Sequence, residues 1–253
     1  MAKFCTKCGK KLEEGQVCDC SKNTKKEEKV VETTTKVDIK ESLMDCVDVF
    51  KKIFTKPMDA IKNFVCENKY VSGIIMILVA ALSAGLYKIA TLKNMYSASN
   101  ADSFTASDFT DLLNSALSGG LSSAEPEYLK EFMTVFVTNL AEYALIVLIG
   151  YLIISKLLKG TASWKHIVTA VGISLSVVLA ANVLNSVLVF IDGEFIGNIR
   201  SYVVSFTSIL STLILYKSIK EVAGVDKNKL FVSVASMSVF ATVVVDVVQK
   251  LFD

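Results

Sequence analysis

The sequence predicts an all-α polytopic membrane protein, five transmembrane helices behind a small cysteine-bearing head, and three observations carry that reading. Of 253 residues, 52% are hydrophobic and mean hydropathy is +0.50, too apolar and too clustered for an ordinary soluble core. Five apolar runs, at about 70–92, 132–155, 167–190, 197–216 and 230–249, each reach the ~20 residues that a helix needs to cross a hydrocarbon layer. Four cysteines fall within the first twenty residues. The apolar runs are long and unbroken where barrel strands would be short and alternating, which argues against a transmembrane β-barrel.

Along the chain, residues 1–20 come first and read as an N-terminal zinc ribbon with Cys5, Cys8, Cys18 and Cys20 as ligands. Cys5-Thr6-Lys7-Cys8-Gly9 aims two thiolates at one tetrahedral ion, and Gly9 supplies the turn that brings amides near the sulfurs. Cys18-Asp19-Cys20 has one intervening residue instead of two, a tighter bite that distorts the tetrahedron and is where the zinc assignment can fail. Unligated or redox-active thiols are the alternative. The first twenty residues hold no apolar run of the signal-peptide kind, so the head is expected in the reducing cytosol, where thiols stay available to metal. Cys46 and Cys66, far along the chain, read as small buried apolar groups.

Residues 21–37 are polar, mixed in charge and free of aromatics, the composition of a flexible linker. From 38 to 66 the pattern becomes helical and amphipathic. Ile39, Leu43, Cys46, Val47, Phe50, Ile53 and Phe54 recur at steps of three and four, Lys56-Pro57 interrupts, and Pro57 can open a second short helix. These juxtamembrane helices are expected to cover the cytoplasmic leaflet or the bundle in preference to a dedicated partner. The transmembrane domain, 67–253, is oriented by its loops. Lys156, Lys159 and Lys165 follow the second run and Lys217, Lys220, Lys227 and Lys229 the fourth, which places both loops in the cytoplasm. Residues 93–131 hold two lysines against six acids, a net of minus four, and belong outside, with Phe104, Phe109, Leu112, Leu113 and Leu117 forming a weakly amphipathic series. Asp192-Gly193-Glu194 allows only a tight hairpin. Five spans then put the amino end in the cytoplasm and the carboxyl end outside the cell membrane.

The membrane half resembles the Yip1 family. Lys56-Pro57-Met58-Asp59-Ala60 is similar to the proline-containing segment ahead of that family's first span, and Gly150-Tyr151 matches its Gly-Tyr pair. Lys159-Gly160-Thr161-Ala162-Ser163-Trp164-Lys165 resembles the Gly-rich polar link before the third span of bacterial members. The likeness covers roughly residues 50–250 and implies five spans with a cytoplasmic amino end. The chain lacks the Asp-Leu-Tyr-Gly-Pro motif of eukaryotic relatives, so their link to Rab-type GTPases and vesicle trafficking does not transfer. The head separately resembles the short zinc ribbons that precede many bacterial membrane proteins.

Glu142 is the residue that most invites chemistry. It sits eleven residues from Glu131, hence ~16 Å from the outer end of its span, where an ionisable group costs ~2.5 to 3.5 kcal/mol and faces the bundle interior. Asn182 lies at similar depth, ~15 Å by its ten residues from Asp192, and is the expected hydrogen-bond partner, with Asn185 and Asn139 as alternates. One reading makes Glu142 a proton or cation site; the plainer one makes it a protonated carboxyl joining helices. Arg200 and Asp246 fall towards the outer interface and are expected to pair or snorkel, and Lys88 to snorkel. Ser174, Ser176, Ser205, Ser208 and Ser211 suit close helix packing.

No enzyme is expected. His166 is the sole histidine, at the cytoplasmic start of the third run, and the chain has no HExxH, no phosphate-binding loop and no GxSxG elbow. The basic residues are lysines except Arg200, and net charge is only +2, so nucleic acid is not an expected partner. The expected function is that of a scaffold, in which a cytosolic zinc-binding head docks an unidentified protein partner and the bundle organises the surrounding bilayer. The alternative is a small transporter or channel subunit with Glu142 in a polar path. A metal or redox sensor acting through the head is a third class.

Overall fold

The computed structural model of the chain describes residues 3–4, 11–12, 39–66, 69–100, 126–191 and 194–252. The chain divides into two compact units, 1–37 and 38–253. In the first, β1 (Lys3–Phe4) and β2 (Lys11–Leu12) pair antiparallel, with Lys3 opposite Leu12 and Phe4 opposite Lys11. Cys5, Cys8, Cys18, Cys20 and the 21–37 linker lie outside the described residues, as do the Phe104–Leu117 series and the Asp192-Gly193 turn.

The described part of the second unit is helical. α1 (Ile39–Thr55) and α2 (Pro57–Cys66) are short; α2 starts on the proline, at the position where a missing amide hydrogen leaves no bond unmade. Then come α3 (Tyr70–Asn100), α4 (Pro126–Tyr151, continued by a π-helical turn Leu152–Leu157), α5 (Trp164–Leu188), α6 (Glu194–Ala223) and α7 (Lys227–Phe252). Among the described residues, α3, α4, α5 and α6 are long and apolar enough to cross a membrane. The fifth apolar run lies on α7, whose 26 residues extend ~39 Å.

α5 is the central helix. Of its apolar stretch 67% is buried, against 22% for α6, and it packs on α3, α4 and α6 as well as on α1 and α2. It meets α3 backbone to backbone. A Cβ on Gly172 would stand 2.6 Å from Gly73 Cα, and one on Gly73 would stand 2.9 Å from Thr169 Cα, so the two glycines are what lets these helices come this close. Ser174 and Ser176 of the same helix are buried, each hydroxyl donating to a carbonyl three residues back, Val171 and Ile173. Gly150 opens a similar notch in α4, which the end of the Met237 side chain of α7 fills.

The amphipathic pair lies on the bundle. Val49 and Ile53 of α1 with Ala60, Ile61, Phe64 and Val65 of α2 form an apolar cluster with Ile173 and Val177 of α5 and Ile214 of α6. The buried seam of α1 is Cys46, Val49 and Ile53, narrower than the stripe that the spacing predicts. Ile39, Leu43, Val47 and Phe54 stay exposed because the bundle covers only one side of the helix. Polar groups fix the docking. Lys69 Nζ stands 2.9 Å from Asp45 Oδ1, Ser72 Oγ donates to Asp45 Oδ2 and the Cys46 thiol donates to Ser72 O.

The α4–α5 link explains its own composition. Thr161 donates through its amide to Ala223 O at 2.8 Å and through Oγ1 to Val222 O at 2.7 Å, so the link caps the end of α6, whose last carbonyls have no partner within the helix. A Cβ on Gly160 would stand 2.7 Å from Ala223 O, and Gly224 follows at φ +60, the left-handed conformation that closes helices. Lys159 takes φ 54 without being glycine. Ser163 then caps α5 with His166, whose Nδ1 accepts from the Ser163 amide at 3.2 Å. That assigns the sole histidine a capping position.

Candidate functional site

Three helices bring polar side chains to one groove, which opens sideways past the exposed Val204 and Ser208. α4 and α6 both pack on α5 and barely touch each other among the described residues, and a cavity of about 260 Å³ lies between them. Glu142 lines it from α4, Asn182 and Asn185 from α5, and Thr207, Ser211 and Thr212 from α6. The helical repeat makes this possible, since positions 182 and 185, like 208, 211 and 212, fall three or four apart and share a face. No Lys, Arg or His belongs to the lining.

Asn185 is the outlier. It is 1% exposed, and neither its Nδ2 nor its Oδ1 finds a hydrogen-bond partner among the described residues. Leaving one buried polar group unpaired costs ~1–3 kcal/mol.

The other expected partners are placed differently. Asn182 donates its Nδ2 to Ser83 Oγ of α3 at 3.0 Å, a partner the depth argument did not name. The helices decide this: α3 and α5 are in closest contact, whereas α4 meets α5 over a shorter length. Asn139 turns along its own helix, donating to Val135 O at 2.9 Å and accepting from Tyr143 OH at 3.2 Å, and lies outside the cavity lining. Ser208 and Ser211, expected to pack helices, line the cavity, and Ser205 is exposed.

Towards the opposite ends of these helices, two further expectations change. Lys88 pairs with Glu131 at 3.6 Å, joining α3 to α4. Arg200 Nη2 donates to Tyr87 OH at 2.9 Å and its guanidinium lies over the Tyr87 ring, joining α6 to α3. Both cations are within reach of neutralising or π-rich partners, so neither extends alone. The side chain of Asp246 lies outside the described residues.

Elsewhere the hollows offer less chemistry. An apolar groove of about 730 Å³ runs between α1, α3 and α5, walled by Val47, Phe50, Val79, Val183 and Val187, with Lys51 its one charged neighbour. Among the described residues no group of three or more His, Cys, Asp and Glu side chains is placed to hold a metal. Sequence reasoning reached Glu142, Asn182 and Asn185; it missed Thr207 and Thr212, whose signal was their spacing from Ser208 and Ser211.

The family model of the Yip1 domain matches residues 51–248. No curated protein and no solved structure matches the chain.

Proposed function

Because the chain belongs to the Yip1 family, an integral membrane family, we propose that it is a non-enzymatic membrane-organising and partner-docking protein of the cell membrane. α7 completes a five-span bundle, the amino end is cytoplasmic and the carboxyl end extracytoplasmic, in line with the lysines that follow α4 and α6. One observation carries the reading: α1 and α2 form a platform packed on the bundle through one seam, with large apolar side chains such as Ile39, Met44, Phe54 and Met58 left exposed. Such a surface belongs in the cytoplasmic leaflet, where it displaces lipid and gives the membrane a fixed landmark.

The head is the docking element, and zinc held by Cys5, Cys8, Cys18 and Cys20 gives it shape. Four thiols suit a tetrahedral ion, and the β1–β2 pairing brackets Cys5 and Cys8 in sequence, as a Cys-x-x-Cys knuckle requires. The test is in-cell crosslinking and pull-down of the full chain and of a chain lacking residues 1–37. Loss of partners from the shortened chain is the expected result, and identical partners in both would remove the head from the docking role. Zinc content, expected to fall when Cys5 and Cys8 are changed to serine, checks the metal separately.

A second reading, a small transporter or channel subunit with Glu142 in a polar path, is favoured by the cavity itself. A carboxyl and two asparagines around one hollow in mid-bundle are more than helix adhesion needs. Ion flux in proteoliposomes tests it, with Glu142→Gln expected to abolish any flux seen.

A further inference from the structure

We propose that the apolar groove between α1, α3 and α5 seats one acyl chain of an anionic phospholipid, with the headgroup phosphate held at Lys51. The register of the two long helices fixes the direction of the groove. Gly172 meets Gly73 and Asn182 meets Ser83, both pairs 99 apart in the chain, so α3 and α5 run parallel with each position of α3 beside the one 99 later on α5. The Cys46 thiol donates to Ser72 O, and Val49 and Ile53 pack with Ile173 and Val177, so α1 crosses the pair close to where α3 begins. The groove starts there, on Ile75 and Met76 of α3, and is walled further along by Val183 and Val187 of α5. Ile75 stands beside position 174, and Val187 lies thirteen residues beyond that, ~20 Å of helix.

The lining has the polarity of a lipid. Along the groove, about 730 Å³ in volume, the walls are apolar, so water there would find no hydrogen-bond partners. Leu184 and Val187 stand exposed on one wall and Leu43 and Val47 on the other, so the part of the α1 stripe that the bundle leaves bare faces this gap. Left empty, such walls forfeit the dispersion contacts that a packed chain restores. The one charge is Lys51, exposed, on the helix where the groove starts, and no ion pair engages it among the described residues. The preceding acids of α1 are directed elsewhere, Asp45 to Lys69 at 2.9 Å and Asp48 to Lys52 at 3.8 Å, and both line a separate polar pocket. A cation at one end and ~20 Å of apolar wall beyond it match an amphiphile whose charge stays at the surface while its chain descends through one leaflet, half of a ~30 Å core. An apolar helix of a second copy would cover the walls and leave the lysine unanswered.

The site deepens the reading of α1 as part of a leaflet-seated platform and rests on it, so it is measured apart from partner docking. Full-length protein in detergent micelles is titrated with phosphatidylglycerol and with phosphatidylcholine of the same acyl chains, and retained lipid is counted by native mass spectrometry. One lipid per chain is expected at saturation. Phosphatidylglycerol should bind about fivefold more tightly, the equivalent of ~1 kcal/mol for one lysine at an anionic lipid surface. Lys51→Gln should bring that ratio close to one while phosphatidylcholine binds as before, and a preference that survives the substitution overturns the proposal. Ala180→Phe, which puts a ring into the groove, should weaken retention of both lipids tenfold or more, whereas Val239→Phe, in the separate hollow lined by α4 and α7, should change neither.

If Ala180→Phe does not fold, Val183→Trp on the exposed part of the same wall decides. No retained lipid, or retention that neither wall substitution weakens, overturns the proposal. A dimer mass that Ala180→Phe abolishes also overturns it, by giving the groove to a second copy. Partners captured by a chain that retains no lipid refute this site alone, and lipid retained by a chain that captures no partner supports the site and refutes the docking role.

Discussion

Replacing Gly172 by alanine inserts one methyl where α3 and α5 touch through their backbones. Its Cβ would stand 2.6 Å from both Gly73 Cα and Gly73 O, and ordinary contact begins at 3.4 Å, so the helices must separate locally by about 0.8 Å. No flexible side chain can yield instead. A gap of that size forfeits a quarter to a half of the dispersion energy of the contacts it opens. It also threatens the Asn182–Ser83 hydrogen bond of the same interface, 3.0 Å long and worth ~1 kcal/mol. Overpacking costs ~1–3 kcal/mol, and alanine returns ~1 kcal/mol of helix propensity. The balance is a loss of about 2 kcal/mol, or about 4–8 °C in melting temperature for a chain of this size. Trp164, the only tryptophan, lies against Tyr70 where α3 meets α5, so its fluorescence reports the separation directly. Gly197→Ala is the matched control: a Cβ there meets nothing within 4 Å, and the propensity gain should appear undiminished. Melting of Gly172→Ala at or above the parent temperature would refute the reasoning.

Three further outcomes are expected. Burial, and then the neighbouring Asp45, push the Cys46 thiol up from an ordinary 9.0 to about 11. At pH 8 the folded protein then holds ~100-fold less thiolate there than an open thiol would, so maleimide labelling of Cys46 should be slowed by at least that factor. Because the folded state holds this proton more tightly, its contribution to stability is fully present below pH 9 and is lost between 9 and about 11, which alkaline melts of Cys46→Ala should lack. Lys159→Gly should raise stability by a few tenths to ~1 kcal/mol, and Gly224→Ala should lower it by about 1 kcal/mol, since both backbones sit at positive φ. Asp45→Ala, which removes a partner of Lys69 and of Ser72, should expose α1 to protease while α3–α6 stay protected; unchanged cleavage would mean that α1 is held without Asp45.

The long apolar runs and the amphipathic pair were legible because they are properties of one segment at a time. Contacts that depend on which helices meet were not. Nothing in Val71-Ser72-Gly73 or Val171-Gly172-Ile173 announces that the two glycines face each other; the sequence shows only that each helix has a notch. The polar residues divide the same way. Depth counted from the flanking charges brought Glu142 and Asn182 to one level, yet the partner of Asn182 was Ser83, because α5 lies closest to α3. Ser208 and Ser211 look alike with Ser174 and Ser176 in the sequence, but α5 is enclosed and α6 is not, so the first pair borders a hollow and the second is packed. Val49, absent from the apolar stripe read from the sequence, belongs to the docked seam of α1.

The Thr161 staple has a mechanical consequence. It holds the start of α5 and the end of α6 through backbone carbonyls, and Ser155, donating to Ala162 O, ties in the end of α4. Towards their other ends the same helices are joined to α3 by side chains alone, Lys88 to Glu131 and Arg200 to Tyr87. At that other edge α5 also runs into α6 through only five residues, 189–193, so of the three helices α4 is the one that relies there on side-chain contacts.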